Sequence, residues 1–416
     1  MFETSSIPAE LLADITSVSK STLLKWEKSR KIIPVFNVVT NKKEYKISDL
    51  LHFEEIRSVF AQDPELKANI TKSLRDFNSI ELFAGAGGLA IGLERAGFKA
   101  IALNEFNKDA CRTLRINRRH WNVIEGDVKN VDFTEFIDID LLAGGFPCQA
   151  FSYAGNKLGF EDTRGTLFFE FARAIKEMQP KVFLGENVRG LLKHDNGRTL
   201  KIMKSIIYEL GYTLIEPQVL KAIFYRVPQK RERLFLIGIR NDLVRFADFK
   251  WPDPHNKIMV LRDALKAGDL YPTDVPISKG QVYAKRKKEI LDLVPQGGYW
   301  RDLPDDIQRE YMQKSYFLGG GKTGIARRLA WDQPSLTLTC SPAQKQTERC
   351  HPEETRPLTV REYARIQTFP DDWEFSGSLT SQYKQIGNAV PVNLAYAVGQ
   401  SLVSLLNMID IGQSSI

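Results

Sequence analysis

The chain is poor in the residues that staple small folds. Its 416 residues include four cysteines, Cys111, Cys148, Cys340 and Cys350, too few and too scattered for a disulfide framework. No Cys-x-x-Cys pair occurs, which argues against a structural zinc. No run approaches the roughly 18 consecutive apolar residues of a membrane span. The opening MFETSSIPAELLADI has neither a basic leader nor an apolar signal core, so secretion is not expected. Internal repeats and low-complexity tracts are also missing. A reducing cytoplasm fits these absences. In that setting a lone cysteine is either a small buried hydrophobe or a group kept for its reactivity.

What is present describes a folded protein of two or three domains. Hydrophobic residues make up 43% and charged residues 26%, enough apolar material for a sizeable core, which excludes wholesale disorder. Lys and Arg number 58 against 51 Asp and Glu, a net charge of +7. That excess permits a polyanionic partner without requiring one.

Residues 1–75 read as a separate unit. Ser5 and Ser6 are placed to cap a first helix, and SVSKSTLLKWEKSRKII (17–33) has helical spacing with basic residues around Leu23, Leu24 and Trp26. A polar, extended NVVTNKKEYKI follows, and Ser48 is placed to cap another helix. This order resembles a winged helix-turn-helix, as in the N-terminal half of MerR-type DNA-binding domains; the competing reading is a helical appendage packed on the main body. Residues 62–76 look like a polar connection. From Ser79 onward apolar strands alternate with helices, in SIELFAG, GLAIGLERAGF, KAIALNEF, KDACRTLRIN, DIDLLAGGFP and KVFLGENV. Alternation of this kind implies a parallel sheet with crossover helices. It stops at about Phe246 and resumes after residue 355, so 246–355 reads as a loop-rich insertion. Residues 311–351 hold six Lys or Arg and two Asp or Glu, a local excess of +4, which suits phosphate contacts.

Two constellations suggest chemistry. In ELFAGAGG (81–88), Gly85, Gly87 and Ala90 satisfy G-x-G-x-x-A, so a ligand can approach the backbone. Glu105 ends the next strand, 17 residues beyond Gly88, where an acid can accept ribose hydroxyls. Asp127 ends a third segment and can accept from an adenine amino group. An adenosine ligand follows, and S-adenosylmethionine competes with NAD. The second constellation is GGFPCQAFS (144–152): Cys148 follows Pro147 at a strand's carboxyl end. Only a thiolate is a good nucleophile, so it needs positive charge nearby. Arg231 and Arg233, in VPQKRERLFLIGIR (227–240), are candidates. Glu186, in GENV, is a carboxyl in an apolar strand, where burial raises its pKa and suits it to proton work.

With these residues in place the chain resembles the cytosine-5 DNA methyltransferases of bacterial restriction–modification systems. ELFAGAGGL, LNEF, GDV, GGFPCQAFS, DTRGTLFFE, GENV, QKRER, RPLTVREYARIQTFP and QIGNAVPV match that family's motifs in its order. The resemblance implies an α/β, Rossmann-like S-adenosylmethionine-dependent methyltransferase sheet. Its catalytic parts would be 76–245 and 356–416, with a small target-recognition domain inserted at 246–355 and the helix-turn-helix-like unit at 1–75. Cys148 would add to cytosine C6, Glu186 would hold the N3 edge, Arg233 would contact O2 and brace the glutamate, and Arg231 would stand near the cysteine. Phe83, Gly85, Gly87 and Gly88 would contact the cofactor, with Glu105 on ribose, Phe106 on adenine, Asp127 and Val128 at the adenine edge, and Pro147, Leu167 and Asn388 closing the pocket. No metal is required, because the methyl donor is already a sulfonium.

The partner implied is double-stranded DNA, with the target base flipped out of the helix. The enzyme would act as a monomer in the bacterial cytoplasm, at the nucleoid. A cognate restriction endonuclease would share its target without binding it. Ser152 would lie near the DNA backbone. Lys322, Arg327, Arg328, Gln344, Lys345, Gln346 and Arg349 are the expected base readers, since Arg and Lys pair with guanine and Gln with adenine. Transfer-RNA methylation is a weaker alternative, because its Cys-Phe-Thr signature is replaced here by Thr339-Cys340-Ser341. Repression of transcription through residues 1–75 is a further reading that can coexist with catalysis.

Overall fold

The central strands of the main sheet carry two apolar faces, and that alternation decides how the sheet is covered. The structure, a computed structural model, describes residues 6–37, 42–61, 70–147, 166–320 and 322–415. In the first unit β1 (Ser6–Pro8), α1 (Ala9–Thr16), α2 (Lys20–Lys28), β2 (Val35–Asn37), β3 (Lys42–Lys46), α3 (Ile47–Leu50) and α4 (Glu54–Phe60) surround a small core of Leu12, Ile15, Leu23, Tyr45 and Ile56. The strands pair antiparallel in the order β1-β3-β2. Two capping expectations fail. Ser6 lies in β1 and bonds Glu44, and Pro8, with φ already fixed, opens α1 instead. Ser48 lies inside α3 and donates to Asp49 Oδ1 at 3.0 Å. Ser19 is the working cap, its hydroxyl receiving Thr22 N–H at 3.1 Å.

The connection is not merely a spacer where it is described. Arg75 grips Asp140 through two hydrogen bonds of 2.7 and 2.5 Å and reaches Asp410 at 2.6 Å. A bidentate, charge-assisted pair of this kind ties the chain to the body.

The main sheet has the order β10-β12-β8-β7-β4-β5-β6, with β9 also paired to β12. Its strands are β4 (Phe77–Leu82), β5 (Phe98–Glu105), β6 (Val123–Glu125), β7 (Leu141–Gly144), β8 (Val182–Val188), β9 (Tyr212–Leu214), β10 (Gln218–Lys221) and β12 (Glu232–Arg240). β6, β5, β4, β7 and β8 run parallel, as expected. β12 runs antiparallel to both β8 and β10, a departure from the all-parallel expectation. Only residues 222–231 join β10 to β12, too few for a crossover helix.

Along β7 and β8, Leu141, Ala143, Val182 and Leu184 face one core, and Leu142 and Phe183 face the other. α5 (Gly88–Ala96) and α14 (Val392–Ser414) cover the first face; α7 (Leu167–Met178) and α8 (Arg198–Glu209) cover the second. α6 (Lys108–Asn117) flanks β5. In the inserted stretch, α9 (Leu261–Leu265) packs with α12 (Val360–Ile366) and α13 (Leu379–Asn388). α10 (Lys285–Asp292) and α11 (Asp305–Met312) share a separate small core with Trp300 and Cys350. β13 (Ser335–Leu336) pairs in parallel with β11 (Gln229–Lys230), joining this stretch to the sheet's edge.

The helical stretch Leu379–Ser414 is long and apolar enough to cross a membrane by composition, a signal that interrupting Asn, Gln and Ser residues hid in the sequence. In the fold, Leu394, Val398, Leu402, Leu405 and Ile409 on α14 are fully buried in the core. α14 approaches α5 at Gly92, where an added Cβ would lie 2.3 Å from Ala395 Cβ and 2.7 Å from Tyr396 N. Gly92→Leu is therefore expected to cost roughly 1–3 kcal/mol or more by overpacking, read as a lower midpoint in thermal or urea unfolding.

Candidate active site

The parallel strands deliver their carboxyl ends to one edge of the sheet, where such folds hold ligands. β4 runs through residues 83–87 into α5. Phe83 has φ 60°, a left-handed conformation uncommon for a bulky residue and concentrated at functional turns. Gly87 has φ 86°, and a Cβ there would meet Leu114 Cδ2 at 2.8 Å. Gly88 packs closer still, since its Cβ would sit 2.3 Å from the Val390 carbonyl oxygen. Gly85 has open space on its Cβ side, so this is where a ligand can reach the backbone.

Glu105 is aimed by two backbone donors. Its Oε2 receives Gly85 N–H at 2.8 Å and its Oε1 receives Asn107 N–H at 2.7 Å. Each carboxylate oxygen has a second lone pair for a further donor. Phe106 beside it is 74% exposed, an aromatic face turned to solvent. Asp127 accepts Lys129 N–H at 3.1 Å. Val128 buries its side chain in the core, so it can meet a ligand only through its backbone. Leu167 opens α7, Pro147 is exposed at the end of the described β7 loop, and Asn388 ends α13. Asn388 Oδ1 accepts the Cys340 thiol at 3.3 Å. Cys148 and Ser152 lie outside the described residues.

Glu186 lies near the end of β8 and is almost fully buried. Arg233 Nε lies 2.7 Å from its Oε1. Burial pushes the Glu186 carboxyl up, and the Arg233 and Arg231 charges pull it back. Gly145 lets this happen, because a Cβ there would lie 2.9 Å from Glu186 Oε2. Asn187 donates to the Phe146 carbonyl at 2.8 Å, holding the strand end that leads to Pro147. Arg231 is 1% exposed and donates to the carbonyls of Leu338, Gly387 and Asn388 at 3.3, 3.0 and 3.4 Å. It thus clamps the β13 end and the α13 terminus beside the site, and burial among these groups, with Arg233 close by, pushes its pKa down.

The sequence reading passed over Glu81. β4 Glu81 is level with β5 Leu103 and β7 Ala143, and Ala143 with β8 Leu184. Glu105 and Glu186 lie two residues beyond these neighbours, on the same face. Glu81 therefore forms the floor between two carboxylates. It is fully buried, its Oε2 has no hydrogen-bond partner among the described residues, and burial together with Glu105 and Glu186 raises its pKa well above the usual range. The signal was available: an acid in the apolar run SIELFAG.

The expected base readers divide. Arg328 is a correction: it is buried and donates to Val294, His351 and Leu291 carbonyls and to Thr355 Oγ1. Arg349 is another, buried and bonded to the Glu348 and Thr337 carbonyls. Both knit the inserted segment because loops without regular ladders leave carbonyls that need donors. The Lys322 ammonium is turned to the Ser315 and Leu318 carbonyls. Gln344 and Gln346 are exposed, Lys345 lies over the Tyr311 ring at 5.1 Å, and Arg327 lies half-buried over Tyr299 at 6.0 Å.

A family model described as C-5 cytosine-specific DNA methylase matches residues 77–404. The chain belongs to that family. It is 64% identical to the Type II methyltransferase M.Eco47II of Escherichia coli over 96% of this chain and 95% of the relative. M.Sau96I of Staphylococcus aureus is 47% identical, over 96% of this chain and 88% of its own. Among solved structures, a DNA modification methyltransferase of an Escherichia coli prophage aligns with a TM-score of 0.58 at 25% identity, covering 80% of this chain and all of that one. The Dnmt2 methyltransferase of S. pombe aligns at 0.55 and 18% identity over 80% of this chain and all of its own, a likeness of fold.

The DNA cytosine-5 methylase takes its methyl group from S-adenosylmethionine. The residues present fit that donor: an open glycine loop for the backbone side, oriented carboxylates for hydroxyl and amino groups, and an exposed aromatic for a purine. The cofactor is also cationic at sulfur, and the Glu105 carboxylate, held by two backbone donors, stands at this end of the sheet. One consequence concerns stability. A carboxyl whose folded pKa is raised contributes stability only at low pH, and loses it as pH climbs from the ordinary Glu value of 4.5 through the raised one. Glu81→Gln lacks this loss, so its melting temperature relative to the parent is expected to climb as pH rises from 5 to 8, by calorimetry.

Proposed function

We propose that this methylase modifies one cytosine within a specific duplex sequence, after flipping it into the space beside the Glu186–Arg233 pair. The observation that carries the reading is the buried Glu186–Arg233 pair, 2.7 Å apart, beside the strand end that leads through Pro147 to Cys148. The Cys148 thiolate adds to C6 and makes C5 enamine-like, a nucleophile to which bound S-adenosylmethionine would supply the methyl group, leaving as the neutral thioether. Transfer of the C5 proton to water then expels the thiolate and restores the ring. This divides one hard step into easier ones. Glu186 supports protonation at N3 during attack, which its raised pKa favours. Arg233 holds O2 and the glutamate together, and Arg231 fixes the adjoining chain ends; prepositioned charge of this kind is commonly the largest catalytic effect. Base specificity falls to Gln344, Gln346, Lys345 and Arg327 on the inserted segment, with Ser152 near the backbone.

The relatives are Type II methyltransferases by name, which supports protection of host DNA from a restriction enzyme of the same specificity. The exposed basic residues on α2 support a second role for the first unit, binding to the gene's own promoter. Deleting residues 1–70 is expected to abolish promoter footprints; unchanged footprints would exclude that role.

Incubation with tritiated S-adenosylmethionine and unmethylated DNA is expected to place label in 5-methylcytosine, with bisulfite sequencing giving its context. Cys148→Ala is expected to lose at least a thousandfold in turnover, on the order of 4 kcal/mol, while keeping its folding transition and duplex binding. Loss of folding in that variant would make Cys148 a packing residue instead.

A further inference from the structure

Residues 222–231 turn the chain from β10 into β12 and deliver Arg231 and Arg233 to the site. Extended backbone sends successive side chains to opposite sides, and here the two sides have different partners. Gln229 and Arg231 are buried. The Gln229 amide donates to Gln367 Oε1 at 2.8 Å and accepts Leu338 N–H at 2.9 Å. Lys230 and Glu232 alternate to the other side and are half-buried. Glu232 pairs with Arg189 at 2.8 Å. Lys230 pairs with the Asp14 carboxylate of the first unit, also at 2.7 Å from atom to atom.

The first unit grips the same connection at two more points. A helix leaves its last carbonyls without intrahelical partners. At the end of α1 the Thr16 hydroxyl bonds the Leu12 carbonyl at 2.7 Å, and the Ser17 and Val18 N–H groups both turn to the Ala13 carbonyl. The Asp14 and Ile15 carbonyls instead receive Lys221 Nζ, from the end of β10, at 3.2 and 2.7 Å. A cation at a helix carboxyl end also suits the helix dipole. A lysine of the body thus completes a helix of the first unit. Phe224, between Lys221 and Lys230 in the chain, packs against both the small core of the first unit and the main core. These contacts are made at the expense of water: burial pushes the Asp14 carboxyl up and the Lys221 ammonium down. Removing one partner then leaves the other charge desolvated and uncompensated, which drives it to move.

We propose that the first unit is a brace for the catalytic arginines, with Asp14, Lys221 and Lys230 as positioning residues that hold the β10–β12 connection in its working shape. The proposal rests on Arg231 and Arg233 acting beside the flipped base. Lys230 and Arg231 share a peptide bond, so a shift of one is passed to the other. The Arg231 backbone is tied on both sides, its N–H to the Gln229 carbonyl at 2.9 Å and its carbonyl to Ala222 N–H at 2.8 Å. Thr337 Oγ1 donates to the Lys230 carbonyl at 2.5 Å, which carries the same restraint into the inserted segment. The first unit therefore acts on the reaction through this connection. Misplaced arginines matter most where charge develops on the base in the transition state, so the loss falls on kcat.

The test uses the full chain, steady-state methylation of a duplex carrying the site found by bisulfite sequencing, and rates taken per folded molecule. Asp14→Asn and Lys221→Met are expected to lower kcat by about tenfold, with KM for duplex and for S-adenosylmethionine within about twofold of the parent's. Asp14→Glu keeps the tie and is expected to keep most of the parent's kcat. Lys230→Met is expected to lose as much as Asp14→Asn, and the double variant no more than either, because the pair acts as a unit. Parental kcat in both Asp14→Asn and Lys221→Met would overturn the proposal. So would a loss that Asp14→Glu shares, or losses at Asp14 and Lys230 that simply add. Arg233→Ala separates this inference from the reading beneath it. Retained turnover in that variant removes the arginine's role at the base, whereas an inactive Arg233→Ala beside a parental Asp14→Asn removes the brace alone.

Discussion

The site depends on the antiparallel register between β8 and β12. Phe235 lies opposite Glu186 and Arg233 opposite Val188, so a guanidinium from one strand reaches a carboxylate on the other at the sheet's ligand-binding edge. Neither charge would be tolerable alone at this burial, since an unpaired buried ion costs several kcal/mol. Together they make a polar wall that keeps its geometry before any substrate arrives. Had β12 entered the sheet in parallel, its charged QKRER start would lie at the opposite edge, far from the glycine loop. The short β10–β12 connection is therefore as much a functional device as a topological one.

Around that pair the molecule separates charge. Glu81, Glu105 and Glu186 occupy one face at the strand ends, Glu81 buried beneath the other two. Arg231, Arg233, Lys230 and Lys221 gather where β10 gives way to β12. Arg231 stands at the boundary and spends its hydrogen bonds on three carbonyls, holding the inserted segment and the α13 terminus against the sheet. Tethers of this kind link the catalytic half to a segment whose own core is small and whose backbone has little regular pairing. Arg328 and Arg349 do the same work inside that segment.

How much of this was legible in the sequence varies by element. The alternation of apolar runs and glycine turns from Ser79 to Val188 marked the parallel strands and the helices between them, because strand and helix periods differ and a buried sheet needs apolar runs on both faces. The glycine loop, Glu105, Glu186 and the paired arginines were visible as polar residues in places where burial makes them costly. Arg328 and Arg349 were misjudged: an arginine in a basic stretch looks the same on paper whether its guanidinium faces DNA or caps buried carbonyls. Ser6 and Ser48 were misjudged for a similar reason, since a capping residue is recognised by local pattern and the pairing of β1 with β3 is not local.

The amino-acid sequence by itself determined the chemistry available: a thiol after a proline, a carboxyl in an apolar strand, two arginines with one residue between them, and glycines where a backbone must be approached. Those are properties of residue type and spacing, and they survive without coordinates. Only the tertiary structure decided which charges meet. It set Glu81 beneath Glu105 and Glu186, turned two expected readers inward, and brought Asp14 to Lys230 across more than two hundred residues of chain. Such pairings depend on strand order and on the docking of separate cores, and nothing in local sequence encodes a contact whose partners are that far apart.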